Sequence, residues 1–375
     1  MTTEKQLLRG PFRADQVGSL LRPEKIKQAR ADYSKGKITK DDLRKIENEA
    51  IKTIVEKQKA IGLTAVTDGE FRREYWHLDF IQSLSGIKVY EEETPGFFQG
   101  QMAKLKKYVV NDGLHFPQDH PFLEDYKFLH SMAGDDHVAK ITIPGPNMIF
   151  HSGVIANEFY LNDPIYDSLD AVGDAIANVY QDAIQAFYDA GCRYLQLDDT
   201  SWGALFSDEH RKNIEKHGFA GAEIVKRFAD ITIQSLKNKP EDMTVTIHIC
   251  RGNFKSSWLY EGDYEPIAKD LFERVNVDGF FLEFDSDRAG SFEPLRFIKN
   301  QKVVLGLVTT KTAPLEDPTI IKQRIKEASK YVDIDQLCLS PQCGFASTEE
   351  GNLMTEEDQW AKLKLVVNTA NDVWS

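Results

Sequence analysis

The chain has 375 residues and carries 46 lysines and arginines against 59 aspartates and glutamates, which gives a formal net charge of −13. With 41% hydrophobic and 28% charged residues, it has the composition of a globular protein with a large core and not that of a disordered or collagen-like chain. The acidic balance argues against nucleic acid or an anionic membrane as the default partner.

The N-terminus and the cysteines indicate the compartment. Residues 1–13 are polar and lack the apolar centre of a secretory signal, and no apolar run approaches the roughly 18 to 20 residues of a membrane helix. Four cysteines are too few to staple a fold of this size: Cys192, Cys250, Cys338 and Cys343. We therefore expect a cytoplasmic protein, in which clustered cysteines indicate a metal or catalysis and isolated ones, Cys192 and Cys338, belong to the core.

Eight short apolar runs predict strands buried on both faces of a parallel sheet. In chain order they cover residues 16–20, 64–67, 138–143, 194–197, 244–250, 279–284, 303–308 and 336–340. Amphipathic helical patterns alternate with them over residues 40–61, 170–190, 222–236, 265–275, 318–331 and 356–373. This alternation predicts an α/β fold, a (β/α)8 TIM barrel, with residues 1–375 forming a single domain.

Residues 86–136 interrupt the alternation after the second predicted strand. Two β-rich runs, 88–92 and 103–110, are separated by Thr94-Pro95-Gly96 and predict an antiparallel hairpin inserted into the barrel. Long functional loops are expected over the active face, so we interpret the insertion as a candidate lid.

Three of the predicted strands end in side chains that bind metals. His248 and Cys250 are two residues apart on one strand and so point to the same side, at the carboxyl end that carries active sites in barrels. Glu283 ends the next strand, where a buried carboxylate needs a cation or hydrogen-bond donors. Cys343 follows the last strand. Together they offer one nitrogen, two sulfurs and one oxygen, a complete ligand set for Zn²⁺.

The distribution of these residues favours a catalytic zinc over a structural one, whose ligands usually lie close together in sequence. We expect Glu283 to be the labile ligand that makes room for an incoming thiol. Zinc would lower the pKa of that thiol below neutrality and so provide a thiolate nucleophile. Each residue taken alone also has an interpretation without a metal. His248 and Cys250 could be an ordinary buried histidine beside a buried cysteine, and Glu283 could form a salt bridge with a lysine or arginine of the barrel.

The sequence resembles the C-terminal catalytic barrel of cobalamin-independent methionine synthase from about residue 12 to the end. The matching motifs are Val17-Gly18-Ser19, the segment 62–71, Gly145-Pro146, the segment 195–199, His248-Ile249-Cys250, Glu283 with Ser286 and Arg288, and Gln342-Cys343-Gly344. The family's reaction is attack of a zinc-bound homocysteine thiolate on the methyl group of 5-methyltetrahydrofolate, which yields methionine. The N-terminal half-barrel of the full-length family is absent, which predicts a stand-alone catalytic core.

Matched by position, the resemblance implies specific roles for individual residues. His248, Cys250, Glu283 and Cys343 correspond to the zinc ligands. Val17, Gly18 and Ser19 correspond to the segment that holds the amino acid carboxylate, and Glu70 and Asp198 correspond to the acids that hold its ammonium group. These residue types suit those charges. The simpler interpretations are a turn at Gly18-Ser19, and capping or salt bridging by the two acids.

Four segments on the methyl-donor side depart from the family pattern. Asp198-Asp199-Thr200 replaces an Asp-Glu-Pro run, and Ser152, next to His151, replaces a tryptophan that stacks on the folate pteridine. Lys311 replaces a proton-donating histidine, and Arg251-Gly252-Asn253 replaces a Tyr-Ser pair. Lys311 and His151 are the candidates for protonating or stabilising the leaving group of the donor. The departures leave the identity of the donor open.

Three functions of different classes are therefore compared. The first is methylation of homocysteine, with homocysteine and a methyl donor as partners and a companion protein as one way to deliver the donor. The second is a thiol alkyltransferase similar to epoxyalkane:coenzyme M transferase, in which Arg251 and Lys311 are candidates to bind a sulfonate. Glu70 and Asp198 favour a thiol that carries an ammonium group, and therefore favour homocysteine over a sulfonate thiol. The third is a non-catalytic barrel that stores or senses zinc or a sulfur amino acid.

A cluster of aromatic residues follows the Glu70 loop and has two interpretations. Phe71, Tyr75, Trp76, His77 and Phe80 either form a wall of the substrate pocket or pack the loop against the second helix. The same choice applies to Trp202, which follows the predicted fourth strand.

Overall fold

The computed structural model of the protein describes residues 8–98 and 101–375. Its strands are β1 Ala65–Val66, β2 Ser85–Phe98, β3 Gln101–His115, β4 Val138–Ala139, β5 Ile141–Pro144, β6 Tyr194–Asp199, β7 Thr244–Ile249, β8 Gly279–Glu283, β9 Lys302–Val308 and β10 Leu337–Pro341. Its helices are α1 Glu24–Ser34, α2 Lys40–Ala60, α3 Leu78–Ile81, α4 Pro121–Ala133, α5 Pro146–Phe150, α6 Glu158–Asn162, α7 Leu169–Asp189, α8 Asp208–Glu215, α9 Gly221–Ser235, α10 Glu265–Ala268, α11 Pro318–Ala328 and α12 Glu356–Trp374.

Apart from β2 and β3, the strands follow one another around a barrel in the order of the sequence. Strands β5 to β10 form a parallel six-stranded sheet in which each strand pairs with the next. Only Lys140 separates β4 from β5, and β4 pairs in parallel with β1. A parallel bridge between Ala14 and Leu339 joins the start of the chain to β10. The (β/α)8 barrel predicted from the alternating pattern is confirmed.

The first predicted strand, residues 16–20, is wrong as a strand although the segment takes the expected place in the barrel. Several of its carbonyl groups accept hydrogen bonds from side chains and not from a neighbouring strand: Gln196 Nε2 donates to Val17 O at 2.8 Å and Thr67 Oγ1 donates to Gly18 O at 2.7 Å. Lys140 Nζ donates to Gln16 O in the same way. Since these carbonyls are already occupied, the regular ladder is absent from this described segment.

The helices begin and end where their sequences supply caps. Helix α2 starts with a capping box in which Asp42 N donates to Thr39 Oγ1 at 3.1 Å and Thr39 N donates to Asp42 Oδ2 at 3.2 Å. Helix α7 ends just before Gly191, whose φ of 96° favours glycine over any residue with a side chain. Buried apolar residues of α7, among them Ile176 and Phe187, face the barrel.

Strands β2 and β3 form the predicted antiparallel hairpin after β1. The strands are longer than the two predicted runs, because pairing continues from Thr94 opposite Ala103 to Phe98 opposite Gln101. The register is irregular between Thr94 and Phe98, as expected where a proline has no N–H group to donate to the ladder. Residues 99 and 100, which connect the strands, lie outside the described residues.

Across residues 8–98 and 101–375, the helices are all too short or too polar to cross a membrane.

Candidate metal centre and adjoining cavities

Four side chains meet at the carboxyl ends of the barrel strands. His248 lies near the end of β7, Cys250 follows that strand, Glu283 ends β8, and Cys343 lies two residues beyond β10. One ligand atom from each residue lies within 4.8 Å of the others, and all four residues are buried. Residues that are up to 95 positions apart in the chain therefore form one compact N, S, O, S cluster.

The two thiols interact directly, and Cys250 Sγ lies 3.5 Å from Cys343 Sγ. The hydrogen bond with Cys250, together with the neighbouring His248, holds the pKa of Cys343 well below its ordinary value. The same hydrogen bond, with burial, raises the pKa of Cys250 well above its ordinary value. Without a cation, the pair thus shares one proton; ionising both sulfurs requires a further positive charge.

The imidazole of His248 is oriented by a backbone carbonyl. Its Nδ1 lies 3.3 Å from Phe281 O, which fixes the proton on that nitrogen. Nε2 is buried and has no hydrogen-bond partner among the described residues, so it is the ring nitrogen available to a metal. Burial alone would lower the pKa of His248, but the neighbouring Cys343 and the charges of Asp198 and Glu283 raise it to about 9. This arrangement is typical of a histidine that ligates a metal through Nε2.

Both carboxylate oxygens of Glu283 have partners. Arg251 N donates to Oε1 at 2.8 Å, and the Arg288 guanidinium donates to Oε2 at 3.0 Å. Burial raises the pKa of Glu283, but the charges of Arg288 and Lys311 outweigh that effect and the pKa lies below its ordinary value. Glu283 is thus held as a carboxylate.

The cluster fits a zinc ion in the kind and spacing of its donors. Two sulfurs bound to a tetrahedral zinc at about 2.3 Å lie about 3.8 Å apart, close to the 3.5 Å found between Cys250 and Cys343. The unpaired Nε2 of His248 and the carboxylate of Glu283 supply the remaining donors. A buried site with two potential thiolates and a carboxylate is stabilised by a divalent cation.

A small cavity of about 20 Å³ adjoins three of the four ligands. It is lined by Val17, Ser19, Glu70, Trp76, Asp198, His248, Cys250, Cys343, Gly344 and Ser347. A side chain on Gly344 would collide with Ser19 Oγ, and a Cβ on Gly18 would lie 2.7 Å from Thr142 Cγ2. Glycine at both positions therefore allows the close approach of the segments around the cavity.

The buried Glu70 carboxylate is held at the wall of the small cavity. Thr142 Oγ1 donates to its Oε1 at 2.7 Å, and Arg73 lies 3.4 Å from the same oxygen. Its Oε2 is buried and has no hydrogen-bond partner among the described residues. Glu70 also adopts a φ of 59°, which is unusual for a residue with a side chain. The combination of a strained backbone and an unpaired oxygen is typical of a binding residue.

Asp198 lies on β6, in register with His248 on β7. Gln196 Nε2 donates to its Oδ1 at 2.7 Å. Burial raises the pKa of Asp198 to about 7, with a further contribution from the nearby Glu70 charge. A bound ammonium group would lower the pKa of both acids by supplying the missing positive charge.

A larger cavity of about 610 Å³ lies next to the small one, and Trp76 lines both. Its wall contains the lysines Lys106, Lys107 and Lys255 and one acidic residue, Glu350. The other lining residues include several aromatic side chains: Tyr75, Trp76, His77, Tyr108, Phe254 and Tyr260. The volume lies within the range of pockets for drug-sized ligands, and the excess of lysines contrasts with the acidic chain as a whole.

His151 and Lys311 have different surroundings. His151 lines the large cavity, and burial lowers its pKa to about 4, so it is neutral at pH 7. Lys311 is not among the described residues that line either cavity. Its Nζ donates to Gly252 O at 3.2 Å, Asn253 Oδ1 at 2.6 Å and Ser257 O at 3.2 Å. All three protons of its ammonium group therefore have acceptors.

Some of the aromatic residues that follow the Glu70 loop line a cavity, and others pack in the core. Tyr75, Trp76 and His77 line the large cavity, whereas Phe71 and Phe80 are fully buried in the core. Trp202 is also buried, with its ring 5.4 Å from that of Phe228. Sequence reasoning missed several cavity residues, including Tyr108 on the hairpin, His217 and Tyr260. They lie on segments without a motif, so only the folded chain brings them to the cavity.

The fold and this site define a class: an α/β barrel with a buried His, Cys, Glu and Cys cluster at its strand ends. Residues 12–371 match the model of the catalytic domain of cobalamin-independent synthase. The chain therefore belongs to the cobalamin-independent methionine synthase family.

Individual relatives extend over nearly the whole chain. The uncharacterised protein YxjG of Bacillus subtilis is 52% identical over 366 residues, which cover 97% of this chain and 95% of YxjG. A solved structure from Listeria monocytogenes, a candidate vitamin-B12 independent methionine synthase, is 43% identical, with a TM-score of 0.78 over 98% of this chain and 100% of that one. The structure of a methionine synthase from a Shewanella species is 18% identical, has a TM-score of 0.68 over 96% of this chain and 97% of its own, and shows the same fold.

Proposed function

We propose that the protein is a zinc-dependent methyltransferase that moves a methyl group to the thiol of homocysteine and so produces methionine. The observation that carries the proposal is the convergence of His248, Cys250, Glu283 and Cys343 within 4.8 Å beside a small cavity. Membership of the cobalamin-independent methionine synthase family supports the same reaction. When bound there, zinc would lower the pKa of the substrate thiol and supply a thiolate at neutral pH.

The small cavity supplies groups for the amino acid part of homocysteine. Glu70 and Asp198 place two acids at its wall, which suits an ammonium group. Ser19 and the segment Val17-Gly18 lie on the same cavity wall or next to it, where a hydroxyl and backbone N–H groups suit a carboxylate. Held at both ends of its backbone, the substrate would direct its sulfur toward the side where Cys250 and Cys343 lie.

The large cavity supplies the surface for the methyl donor. Its aromatic residues and three lysines suit a large, flat and anionic molecule, which favours 5-methyltetrahydrofolate among the donors compared. In the reaction, the sulfur attacks the methyl carbon, the S–C bond forms as the donor's bond to that carbon breaks, and the leaving group takes the electron pair and a proton. His151 lies in this cavity and remains the candidate to hydrogen-bond the leaving group.

The alternative, a thiol alkyltransferase that binds a sulfonate thiol, receives no support from its candidate cations. Neither Arg251 nor Lys311 is among the described residues that line the small cavity. The Arg251 guanidinium donates to Gly262 O at 2.7 Å and lies over the rings of Phe206 and Tyr264. Lys311 is engaged by its three acceptors.

The test is a donor panel with the zinc-loaded protein and homocysteine. Methyltetrahydrofolate, methylcobalamin, S-methylated amino acids and epoxides are each supplied, and methionine or another thioether is measured by mass spectrometry. Methionine formed from methyltetrahydrofolate is the expected result. If no donor yields methionine while a sulfonate thiol is alkylated by an epoxide, the proposal is wrong and the alternative is correct.

A further inference from the structure

We propose that Lys311 and Asn253 are a pair of positioning residues that hold the loop after Cys250 against the loop after Cys343, at the sulfur separation that the metal requires. The inference rests on the proposed function, because it concerns the same zinc site. It assigns to Lys311 a structural task in the site in place of protonation of the leaving group.

The first step is the contact between Lys311 and the loop that follows Cys250. Lys311 lies three residues beyond β9 and is 6% exposed. Its ammonium group donates to Gly252 O, to Ser257 O and, at 2.6 Å, to Asn253 Oδ1. Gly252, with a φ of 92°, gives this loop its tight bend directly after Cys250 and Arg251. The buried ammonium group of Lys311 therefore donates hydrogen bonds to three acceptors within the six-residue loop 252–257.

The second step connects that loop to Cys343. Asn253 accepts from Lys311 through Oδ1 and donates through Nδ2 to Gly344 O at 2.8 Å, the carbonyl of the residue next to Cys343. The same Nδ2 lies 3.1 Å from Ser347 Oγ. Asn253 is thus a bridge with an acceptor on one side and a donor on the other, and it joins the loops that carry both sulfurs.

The third step is a parallel connection from the same segment after β9. Thr310, the neighbour of Lys311, donates from N at 2.7 Å and from Oγ1 at 2.9 Å to Oε1 of Gln342, the residue before Cys343. Residues 310 and 311 therefore contact the Cys343 loop and the Cys250 loop together. Through these contacts, the end of β9, which contributes no ligand to the described cluster, fixes the relative position of two ligands.

The charge of Lys311 also suits this position. Two thiolates and one carboxylate around a divalent ion leave one negative charge in excess, which is unfavourable in a buried site. Arg288 donates to Glu283, and Lys311 adds a second buried cation whose three acceptors lie in the loop that follows Cys250. A role through geometry and charge explains why all of its protons are used by protein acceptors.

The test compares the zinc affinity of purified full-length variants by competition with a chromophoric chelator. Partners that orient metal ligands typically contribute about 10- to 100-fold to affinity, so we expect Lys311→Met to lower zinc affinity by at least about tenfold. Asn253→Asp keeps the acceptor for Lys311 but replaces the donor to Gly344 O with an oxygen, which the carbonyl repels. We expect this variant to bind zinc more weakly as well. The absorption spectrum of the cobalt-substituted protein should shift in both variants, because it reports the arrangement of the two sulfurs.

Lys362→Met is the matched control, since it also removes a buried ammonium group. Lys362 Nζ donates to Pro314 O at 2.8 Å and to Glu316, whose carboxylate accepts from Thr309 N, so it anchors the other part of the same loop after β9. We expect this variant to retain wild-type zinc affinity and cobalt spectrum. An equal loss in Lys362→Met and Lys311→Met would mean general loosening of the loop and would overturn the inference.

The outcomes separate the inference from the proposed function. If the wild-type protein binds zinc tightly and Lys311→Met binds it equally well with an unchanged cobalt spectrum, the inference is wrong and the proposed function stands. If Lys311→Met does not fold, Asn253→Asp decides the question by the same two measurements. If the wild-type protein binds no zinc, the proposed function is wrong and the inference falls with it.

Discussion

At the scale of single residues, the contact between His248 Nδ1 and Phe281 O shows how the fold prepares a ligand before any metal arrives. The carbonyl accepts a hydrogen bond from Nδ1, and Nε2, which has no hydrogen-bond partner among the described residues, lies in the cluster with Cys343 and Glu283. The sulfurs of Cys250 and Cys343 lie 3.5 Å apart and share one proton. A cation bound between them would allow both sulfurs to ionise. The ligands are therefore held in position by backbone groups, by neighbouring side chains and by the contact between the two sulfurs.

We expect Cys343→Ser to remove both zinc and activity, because the alcohol does not ionise near neutral pH and is a poor zinc ligand. Zinc per chain, measured by elemental analysis, should fall from about one toward zero, and methionine formation should be lost with it. Cys338→Ser is the control: Cys338 is equally buried in β10 but belongs to a cluster inside the barrel with Val17, Phe281 and Val304. Full zinc content in Cys343→Ser would show that this residue is not a ligand.

At the scale of elements, the hairpin β2–β3 brings Lys106, Lys107 and Tyr108 to the large cavity. Tyr108 OH donates to Met148 O at 2.8 Å, and its ring stacks at an angle on His77, so the base of the hairpin is fixed to the barrel. An insertion that departs from the barrel pattern thus contributes part of the surface that we assign to the donor. This position agrees with its interpretation as a cover for the active face.

Charge reversal on the hairpin tests that assignment. Lys107→Glu should raise KM for an anionic donor by about fivefold, the size of a partly screened charge interaction of roughly 1 kcal/mol, and leave KM for homocysteine unchanged. Lys88→Glu on the paired strand is the control, since Lys88 is exposed and is not among the described residues lining the cavity. Equal effects of the two substitutions on the donor KM would indicate a long-range charge effect and argue against a contact.

Helix α4 provides a separate prediction about pH. His120 caps this helix: its Nδ1 accepts from Phe122 N at 3.3 Å and its Nε2 lies 3.1 Å from Phe80 O, which requires the neutral ring. Burial lowers its pKa from 6.5 to about 4. In the unfolded chain the ring takes up a proton below pH 6.5, whereas in the folded protein it stays neutral until about pH 4, so stability is lost as the pH falls through this window.

The measurement compares wild type with His120→Asn, a cap that does not titrate. From pH 6.5 to pH 5, the free energy of unfolding of the wild type should fall by about 1.5 kcal/mol more than that of the variant. Urea unfolding at the two pH values gives both numbers. Parallel changes in the two proteins would show that the ring of His120 carries its proton in the folded state at pH 5.

At the scale of the whole molecule, the site joins segments that lie far apart along the chain. Its ligands come from β7, β8 and the segment after β10, and the small cavity also includes residues of the first segment, the Glu70 loop and β6. A ligand that binds only the folded form stabilises it according to its concentration and affinity, by about 2.7 kcal/mol at 100 times Kd. The metal should therefore stabilise the barrel as a unit.

We expect removal of zinc with a chelator to lower Tm by a few degrees, because the stabilisation from binding is lost and the buried acidic groups remain. Differential scanning calorimetry of the loaded protein, before and after chelation, checks this. In Cys343→Ser the chelator should have no effect on Tm. A chelator-induced decrease in that variant would place the stabilising metal elsewhere in the chain.

Much of this architecture was predictable because it depends on local patterns. The apolar runs of β6 to β10 and the spacing of α2, α7 and α12 mark buried strands and amphipathic helices within a few residues of their observed bounds. The convergence of His248, Cys250, Glu283 and Cys343 followed from their common position at strand ends, since a barrel brings those ends together. Their assignment as zinc ligands stays a prediction.

What the sequence did not reveal depends on contacts between distant segments. The first barrel segment looks like a strand but satisfies its carbonyls with Gln196, Thr67 and Lys140, which lie far away in the chain. Lys311 resembled a proton donor from its place after β9, yet its three acceptors lie more than fifty residues earlier. Side-chain partners of this kind have no periodicity to detect, so only the three-dimensional arrangement identifies them.

The distribution of the ligands along the chain has a consequence for biosynthesis. Cys250 and Cys343 are 93 positions apart, and Cys343 follows β10, so the nascent polypeptide lacks one ligand until the ribosome has made all of the described barrel strands. No short peptide within it contains the quartet, in contrast to zinc fingers, where metal drives the folding of a few dozen residues. Metal uptake should thus follow barrel closure, and zinc occupancy would report the fraction of newly made molecules that have completed their fold.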